Sequence, residues 1–126
     1  MINVLLVMLG GAFGSLARYG LSRAFAGPNW PLGTFTANVV GGLLMGILMA
    51  LLLGPLKGLV DTERARLLLG VGVLGGFTTF SSFSLETVQM LERRDYGLAA
   101  LYVGLSVALA IGAVALGFAI VRKVAA

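Results

Sequence analysis

Ten consecutive residues in the middle of the chain combine hydroxyl groups, phenyl rings and paired glycines inside an apolar segment. The run reads Gly75-Gly76-Phe77-Thr78-Thr79-Phe80-Ser81-Ser82-Phe83-Ser84. Lipid cannot satisfy backbone N–H and C=O groups, so irregular backbone at membrane depth must be buried in protein or line a polar cavity. Hydroxyls concentrated at that depth indicate a site for a small polar or charged ligand.

The phenyl rings of this run are spaced for one face of a helix. Phe80 and Phe83 are three residues apart, and Ser81, Ser82 and Ser84 alternate with them. The edge of a phenyl ring carries positive partial charge, and a serine hydroxyl donates a hydrogen bond. The combination favours a small anion, although aromatic side chains at helical spacing also serve as ordinary packing.

The glycines and threonines that open the run predict an irregularity in the helix. Gly75-Gly76 is followed closely by Thr78-Thr79. A broken helix exposes carbonyls at the end of its first half, which suit Na⁺, and N–H groups at the start of its second half, which suit an anion. From these residues alone, a full break and a simple kink are both open.

Asn38 is a second polar position within an apolar segment. Its amide offers two N–H donors and one carbonyl acceptor. Thr34 lies four residues earlier on the same helical face, and Gly41-Gly42 would leave space beside the amide. Asn38 is therefore a candidate anion ligand, and the alternative is an interhelical hydrogen bond that stabilises packing by about 0.5–2 kcal/mol.

Four further side chains are candidates, and three of them have two interpretations each. Glu86 lies in an apolar run, where it would carry protons in a transporter or line the vestibule of a channel. Arg18 would either reach the membrane interface as an anchor or attract anions to a pore mouth. Tyr102 and Ser106 are four residues apart and would extend a polar stripe, whereas a tyrosine near a helix end is otherwise an interface residue.

The overall composition is that of an integral membrane protein. Of the 126 residues, 59% are hydrophobic and 11% are charged, with a mean hydropathy of +1.02. The absence of cysteine and histidine excludes disulfides and histidine-based metal or acid–base chemistry. No catalytic constellation is present, so we do not expect an enzyme. The net charge of +4 comes from basic residues between apolar runs, which indicates membrane interfaces and no nucleic acid.

Four apolar segments are long enough to cross a bilayer, which takes about 20 residues each. They predict an all-α membrane protein with one four-helix transmembrane domain, residues 1–126. Pro28-Asn29-Trp30-Pro31 opens the second segment and Gly54-Pro55 closes it. The third segment exceeds one straight crossing, so we expect it to be broken near its middle. The predicted helices are about 2–22, 32–53, 67–92 and 96–121.

The positive charges give almost no signal for orientation. Five basic residues fall on the side of the second connector and four on the side of the first and third connectors. The positive-inside rule acts on this difference, so dual insertion and an antiparallel dimer are as consistent with the charges as one fixed orientation. Four short helices also enclose little interior, and Gly-xxx-Gly pairs permit close helix contacts, so we expect an oligomer.

Taken together, these motifs resemble the Fluc (CrcB) family of fluoride channels over essentially the whole chain. The resemblance rests on Gly10-Gly11-Ala12-Phe13-Gly14 with Arg18, on Gly33-Thr34 with Asn38 and Gly41-Gly42, and on the run 75–84 with Glu86. It implies a passive channel that exports cytoplasmic fluoride and relieves its toxicity. It also implies a multi-pass protein of the bacterial plasma (inner) membrane.

The resemblance also implies an assembly and a set of site residues. The assembly is a dual-topology antiparallel homodimer in the lipid bilayer, with two pores and a central structural Na⁺. Backbone carbonyls of Gly75 and Thr78 would hold the Na⁺. The implied pore residues are Asn38, Phe80, Phe83, Ser81 and Tyr102, and the implied vestibule residues are Thr34, Ser84, Glu86 and Arg18.

Three alternatives accompany this interpretation. One is a small dual-topology exporter of cationic drugs coupled to protons, a mechanism that needs a membrane-embedded carboxylate in the first helix. The first segment here has none. Another is an accessory protein without transport activity, which would explain the glycines but not the cluster of Phe, Ser and Asn. A heterodimer with a related chain is the alternative to the homodimer.

Overall fold

The computed structural model describes residues 1–27 and 30–126, so the predicted helix-opening role of Pro28 and Asn29 lies outside the described residues. It is all-helical. The elements are α1 (Ile2–Ala24), α2 (Leu32–Leu53), α3 (Thr62–Ala65), a π-helical segment (Arg66–Leu74), α4 (Gly75–Phe77), α5 (Phe80–Glu92) and α6 (Tyr96–Ala125). Among the described residues, four spans are long and apolar enough to cross a membrane. The predicted all-α membrane fold is confirmed.

The third span is broken, as predicted, and the break lies at Thr78 and Thr79. Both residues have extended backbone, with ψ of 156° at Thr78 and 117° at Thr79. The Thr78 hydroxyl donates to the Leu74 carbonyl at 3.0 Å, and the Thr79 hydroxyl accepts from the Ser82 N–H at 3.1 Å. One threonine therefore ends the first half-helix (62–77), and the other caps the second half-helix, α5.

The ends of three helices differ from the predicted bounds, and the first of them, α1, continues to Ala24 rather than 22. The third span begins at Thr62 rather than at 67, because Asp61 caps it by accepting a hydrogen bond from the Arg64 N–H at 3.1 Å. The polar connector thus contains a helix start that hydropathy does not reveal. The last helix continues to Ala125 rather than 121, with Arg122 in its final turn, where a cation is favourable.

Glycines set the distances between the helices. α1 lies against the first half-helix, where a Cβ on Gly72 would come within 2.9 Å of the Gly10 Cα. α2 pairs most extensively with α6, where a Cβ on Gly117 would lie 2.6 Å from the Leu43 carbonyl oxygen. Backbones at such contacts approach more closely than any larger side chain would permit. Close contacts through glycine therefore join α1 to the first half-helix and α2 to α6.

The second half-helix is held by an aromatic cluster. Phe83, Met90, Ala99 and Tyr102 are buried together, and Trp30 and Phe35 pack against them. Most of the large apolar side chains of α1 and the outer face of α6 are exposed, as helices bounded by lipid require. The buried core therefore lies on the side where α5 meets α2 and α6.

Candidate functional site

A cavity of about 460 Å³ lies beside the break. It is bounded by α2, the break, the first turn of α5 and the middle of α6. The lining residues are Asn38, Thr78, Thr79, Phe80, Phe83, Ser106, Val107, Ala110 and Ile111. Phe83 is 9% exposed, whereas Phe80 is 79% exposed, so the cavity is covered where Phe83 lies and open where Phe80 lies.

Asn38 is bonded to the extended backbone at the break. Its amide nitrogen donates to the Thr79 carbonyl at 3.1 Å, and its oxygen accepts from the Thr79 N–H at 2.8 Å. The backbone N–H and carbonyl of Thr79 are therefore both hydrogen-bonded to the Asn38 side chain, which replaces the helical hydrogen bonds lost at the break. The second hydrogen of the Asn38 amide is not used in either bond, and Asn38 also lines the cavity.

Aromatic rings extend from the open edge of the cavity into the protein. The ring centroids of Phe80 and Phe83 are 5.6 Å apart, and those of Phe83 and Tyr102 are 5.2 Å apart. Trp30 follows at 5.3 Å from Tyr102 in an edge-to-face arrangement. The Tyr102 side chain is completely buried, which excludes the membrane-interface interpretation of this tyrosine.

Glu86 joins residues from three helices. Thr34 of α2 donates to one carboxylate oxygen at 2.5 Å, and Tyr102 of α6 donates to the other at 3.3 Å. Glu86 also lines a second recess of about 210 Å³, together with Gly27, Trp30, Pro31, Gln89, Met90 and Arg93. The carboxylate therefore lies between the aromatic row and a recess that carries polar and charged groups at one end of the molecule.

The serines of the run are less uniform than the sequence pattern indicates. Ser81 lies 3.2 Å from the Thr79 hydroxyl, and the Ser84 hydroxyl donates to the Phe80 carbonyl at 2.8 Å. Neither residue lines the cavity or the recess. Ser106 of α6 does line the cavity, and its buried hydroxyl has no hydrogen-bond partner within residues 1–27 and 30–126.

Arg18 contacts the break from the opposite side. Its Nε donates to the Gly76 carbonyl at 3.1 Å. No hydrogen bond in the described part of the chain uses the carbonyl of Gly75 or that of Thr78. Carbonyl oxygens are suitable ligands for a hard cation, so this pair fits the predicted Na⁺ contacts in chemistry.

Several residues around the cavity were not predicted from the sequence. Thr79 was assigned to the break but not to a site. The available signal was its position three residues before Ser82, because a threonine there can cap the start of a helix. Val107, Ala110 and Ile111 carried no signal, because apolar residues of α6 are indistinguishable by type. Trp30 was noted only as part of a helix-opening sequence, although it ends the aromatic row.

Four membrane-crossing helices, the third of them broken, define the chain as a small helical membrane protein, and the candidate site lies beside the break. The family model described as "CrcB-like protein, Camphor Resistance (CrcB)" matches residues 5–118. The chain belongs to the CrcB family. It is a multi-pass protein of the bacterial inner membrane.

Curated relatives cover nearly the whole chain and carry the name fluoride-specific ion channel FluC. The chain is 55% identical over 128 residues to that of Caulobacter vibrioides (strain NA1000 / CB15N), with 98% of each chain covered. It is 52% identical over 124 residues to that of Phenylobacterium zucineum (strain HLK1), with 96% of each covered. It is 47% identical over 125 residues to that of Coxiella burnetii (strain CbuK_Q154), with 97% and 99% covered.

Proposed function

We propose that this protein is a passive, fluoride-selective ion channel. The observation that carries the proposal is the cavity beside the break, where phenyl rings, an unpartnered serine hydroxyl and an asparagine amide meet in a relative of FluC channels. The cavity has donors and ring edges but no cationic side chain among its lining residues. An ion held only by such groups binds without being trapped.

The chemistry of the lining suits a small, strongly hydrated anion. A selective pore replaces the ion's hydration shell with closely placed protein groups, and the ion must still leave. Donors available for this purpose are the second Asn38 amide hydrogen and the Ser106 hydroxyl, while the Phe80 and Phe83 edges supply positive partial charge. We assign Ser81 and Tyr102 to the borders of the same pathway.

Passive conduction is sufficient for export. Hydrogen fluoride crosses membranes uncharged and ionises inside, so the cell needs an exit for the anion. A negative interior drives that anion outward by about 2.3 kcal/mol per charge for each 100 mV. No coupling to protons is needed, and α1 carries no carboxylate that could serve a proton-coupled exporter.

A second copy of the chain would complete the pathway. The cavity is open where Phe80 is exposed, and the nearly balanced positive charges permit insertion in both orientations. An antiparallel homodimer would close two such cavities and form two pores. It would also bring two breaks together at its centre.

A structural Na⁺ would lie at that centre. The unbonded carbonyls of Gly75 and Thr78 support this assignment, and the same pair from the second copy would double the number of oxygen ligands. The bound cation would supply positive charge between the two pores. Thr34, Ser84 and Glu86 are assigned to the vestibule and its borders, with Glu86 in the polar recess.

The function is tested with purified protein in liposomes loaded with fluoride or chloride. We expect fluoride efflux that is electrically driven, needs no proton gradient and exceeds chloride efflux by at least about 100-fold, equivalent to about 2.7 kcal/mol. Phe80→Ile and Asn38→Asp are expected to reduce fluoride efflux at least about tenfold. Phe13→Ile is the matched control, because Phe13 is 68% exposed on α1 and lines no described cavity.

Two results would contradict this proposal. Equal fluoride and chloride efflux would remove the selectivity, and full efflux in both Phe80→Ile and Asn38→Asp would remove the assigned pathway. Proton-coupled movement of an organic cation would instead support the exporter alternative.

A further inference from the structure

We propose that Arg18 is a positioning residue for the cation site and not a charge that attracts anions. Its guanidinium engages the Gly76 carbonyl, whereas the neighbouring carbonyls of Gly75, Phe77 and Thr78 have no hydrogen bond in the described part of the chain. The inference rests on the structural Na⁺ of the proposed function. It assigns to α1 a role in forming that site.

The hydrogen bonds at the end of the first half-helix support this role. A helix end leaves its last four carbonyls without helical partners. The Leu74 carbonyl accepts from both the N–H and the hydroxyl of Thr78, each at 3.0 Å. The Gly76 carbonyl accepts from Arg18 at 3.1 Å. The Leu74 carbonyl thus keeps its helical partner, and of the four carbonyls that follow it, residues 75–78, that of Gly76 is the one with a donor among the described residues.

The Gly75 carbonyl loses its natural partner to Asn38. In a continuous helix the Thr79 N–H would donate to the carbonyl of Gly75, four residues earlier. That N–H is instead bonded to the Asn38 oxygen at 2.8 Å. Arg18 from α1 and Asn38 from α2 therefore act on the break from two sides and leave the Gly75 carbonyl unbonded between them.

Packing explains why position 18 reaches the break. A Cβ on Gly76 would lie 2.6 Å from the Gly11 carbonyl oxygen and 3.1 Å from the Ser15 hydroxyl. The backbones of α1 and the half-helix are thus in close contact there, and Arg18 lies one turn beyond Gly14 on the same face. Its positive charge is also favourable at the C-terminal end of a half-helix. Arg18 lines neither the cavity nor the recess with Glu86.

The donor atom allows a sharp test with substitutions of matched length. The bond is made by Nε, the fourth side-chain atom of arginine. In Arg18→Gln an amide nitrogen takes that place, so the donor is kept and the charge is removed. In Arg18→Met a methyl group takes the same place, so donor and charge are both lost. Arg23→Gln, in the last turn of α1, is the control for loss of a basic residue from that helix.

The measurement is the thermal unfolding midpoint of the full-length protein in detergent as a function of Na⁺. N-methylglucamine keeps the ionic strength constant. We expect the midpoint of the unsubstituted protein to rise with Na⁺. We expect the half-saturating Na⁺ concentration to stay within about threefold in Arg18→Gln and Arg23→Gln, and to rise about tenfold in Arg18→Met, equivalent to about 1.4 kcal/mol.

Three results would overturn the inference. A tenfold rise of the half-saturating Na⁺ concentration in Arg18→Gln would assign the effect to the charge of Arg18 rather than to its hydrogen bond. Arg18→Gln alone tests the inference if Arg18→Met does not fold. An unchanged Na⁺ response in Arg18→Met would remove the positioning role. No Na⁺ response in the unsubstituted protein would remove the cation site itself, whereas fluoride efflux from liposomes would test the channel independently.

Discussion

Among the single residues, Asn38 both bonds to the break and lines the cavity. Its type and its place in an apolar segment predict a functional amide or a stabilising interhelical bond, and the structure has it bonded on both sides to Thr79. The two interpretations are thus compatible, because one amide hydrogen remains for the cavity. Sequence alone cannot pair residues 41 positions apart, since that pairing depends on how α2 packs against the break.

The cluster around Glu86 was predicted as residues but not as contacts. Thr34, Glu86 and Tyr102 were each singled out, and the structure brings all three together. Helical spacing places residues on a face of one helix, whereas the choice of neighbouring helix is decided by packing. For the same reason the residue type of Arg18 left two roles open, and neither of them was a hydrogen bond to Gly76.

Tyr102→Phe is expected to lower the free energy of unfolding by about 1 kcal/mol, because it removes the hydroxyl that donates to Glu86 but keeps the ring contacts. Reversible unfolding in mixed detergent micelles measures this change. Tyr96→Phe is the control, since Tyr96 is 62% exposed at the start of α6. Equal effects of the two substitutions would show that the Tyr102 hydroxyl contributes no specific stabilisation.

At the scale of elements, hydropathy and residue type predicted most of the architecture. The four spans follow from apolar length, and the break follows from Gly75-Gly76 with the two threonines. The start at Thr62 was missed, because Asp61 caps the helix inside a polar connector. The π-helical segment (Arg66–Leu74) was also missed, since a wider turn alters hydrogen bonding without changing hydropathy.

The crossing of α2 and α6 should depend on Gly117. A methyl group there would lie 2.6 Å from the Leu43 carbonyl oxygen and 2.7 Å from the Ile47 nitrogen. Gly117→Ala is therefore expected to lower the free energy of unfolding by about 1–3 kcal/mol through overpacking. Unfolding in mixed micelles measures the change.

Gly112→Ala is the matched control on the same helix. A Cβ at Gly112 would meet no atom within 4 Å, and alanine is favoured over glycine in a helix by about 1 kcal/mol. Unchanged or increased stability is expected. Were Gly117→Ala equally well tolerated, the close crossing of α2 and α6 would not be required for stability.

At the scale of the whole molecule, the proposed antiparallel dimer requires that the chain insert in both orientations. The chain has no cysteine, so one introduced cysteine is its only thiol. Leu59→Cys in the second connector and Gly97→Cys at the start of α6 leave the charge unchanged, and both positions are exposed. In intact cells, a membrane-impermeant thiol reagent is expected to label about half of each variant when charge gives no orientation bias.

Unequal labelling of the two cysteine variants would contradict insertion in both orientations. Complete labelling of one variant with no labelling of the other would establish a single orientation and exclude the antiparallel dimer. Labelling after membrane permeabilisation provides the control, because both cysteines should then react fully.

The two contacts that hold the break also have a consequence for biogenesis. Arg18 lies 58 residues before its partner Gly76, and Asn38 lies 41 residues before its partner Thr79. A chain is synthesised from its N-terminus. Both donors have therefore been synthesised before the broken span leaves the ribosome. Backbone groups without hydrogen bonds are costly in lipid. With this order of synthesis, α1 and α2 can be in the membrane, with Arg18 and Asn38, before the irregular span enters it.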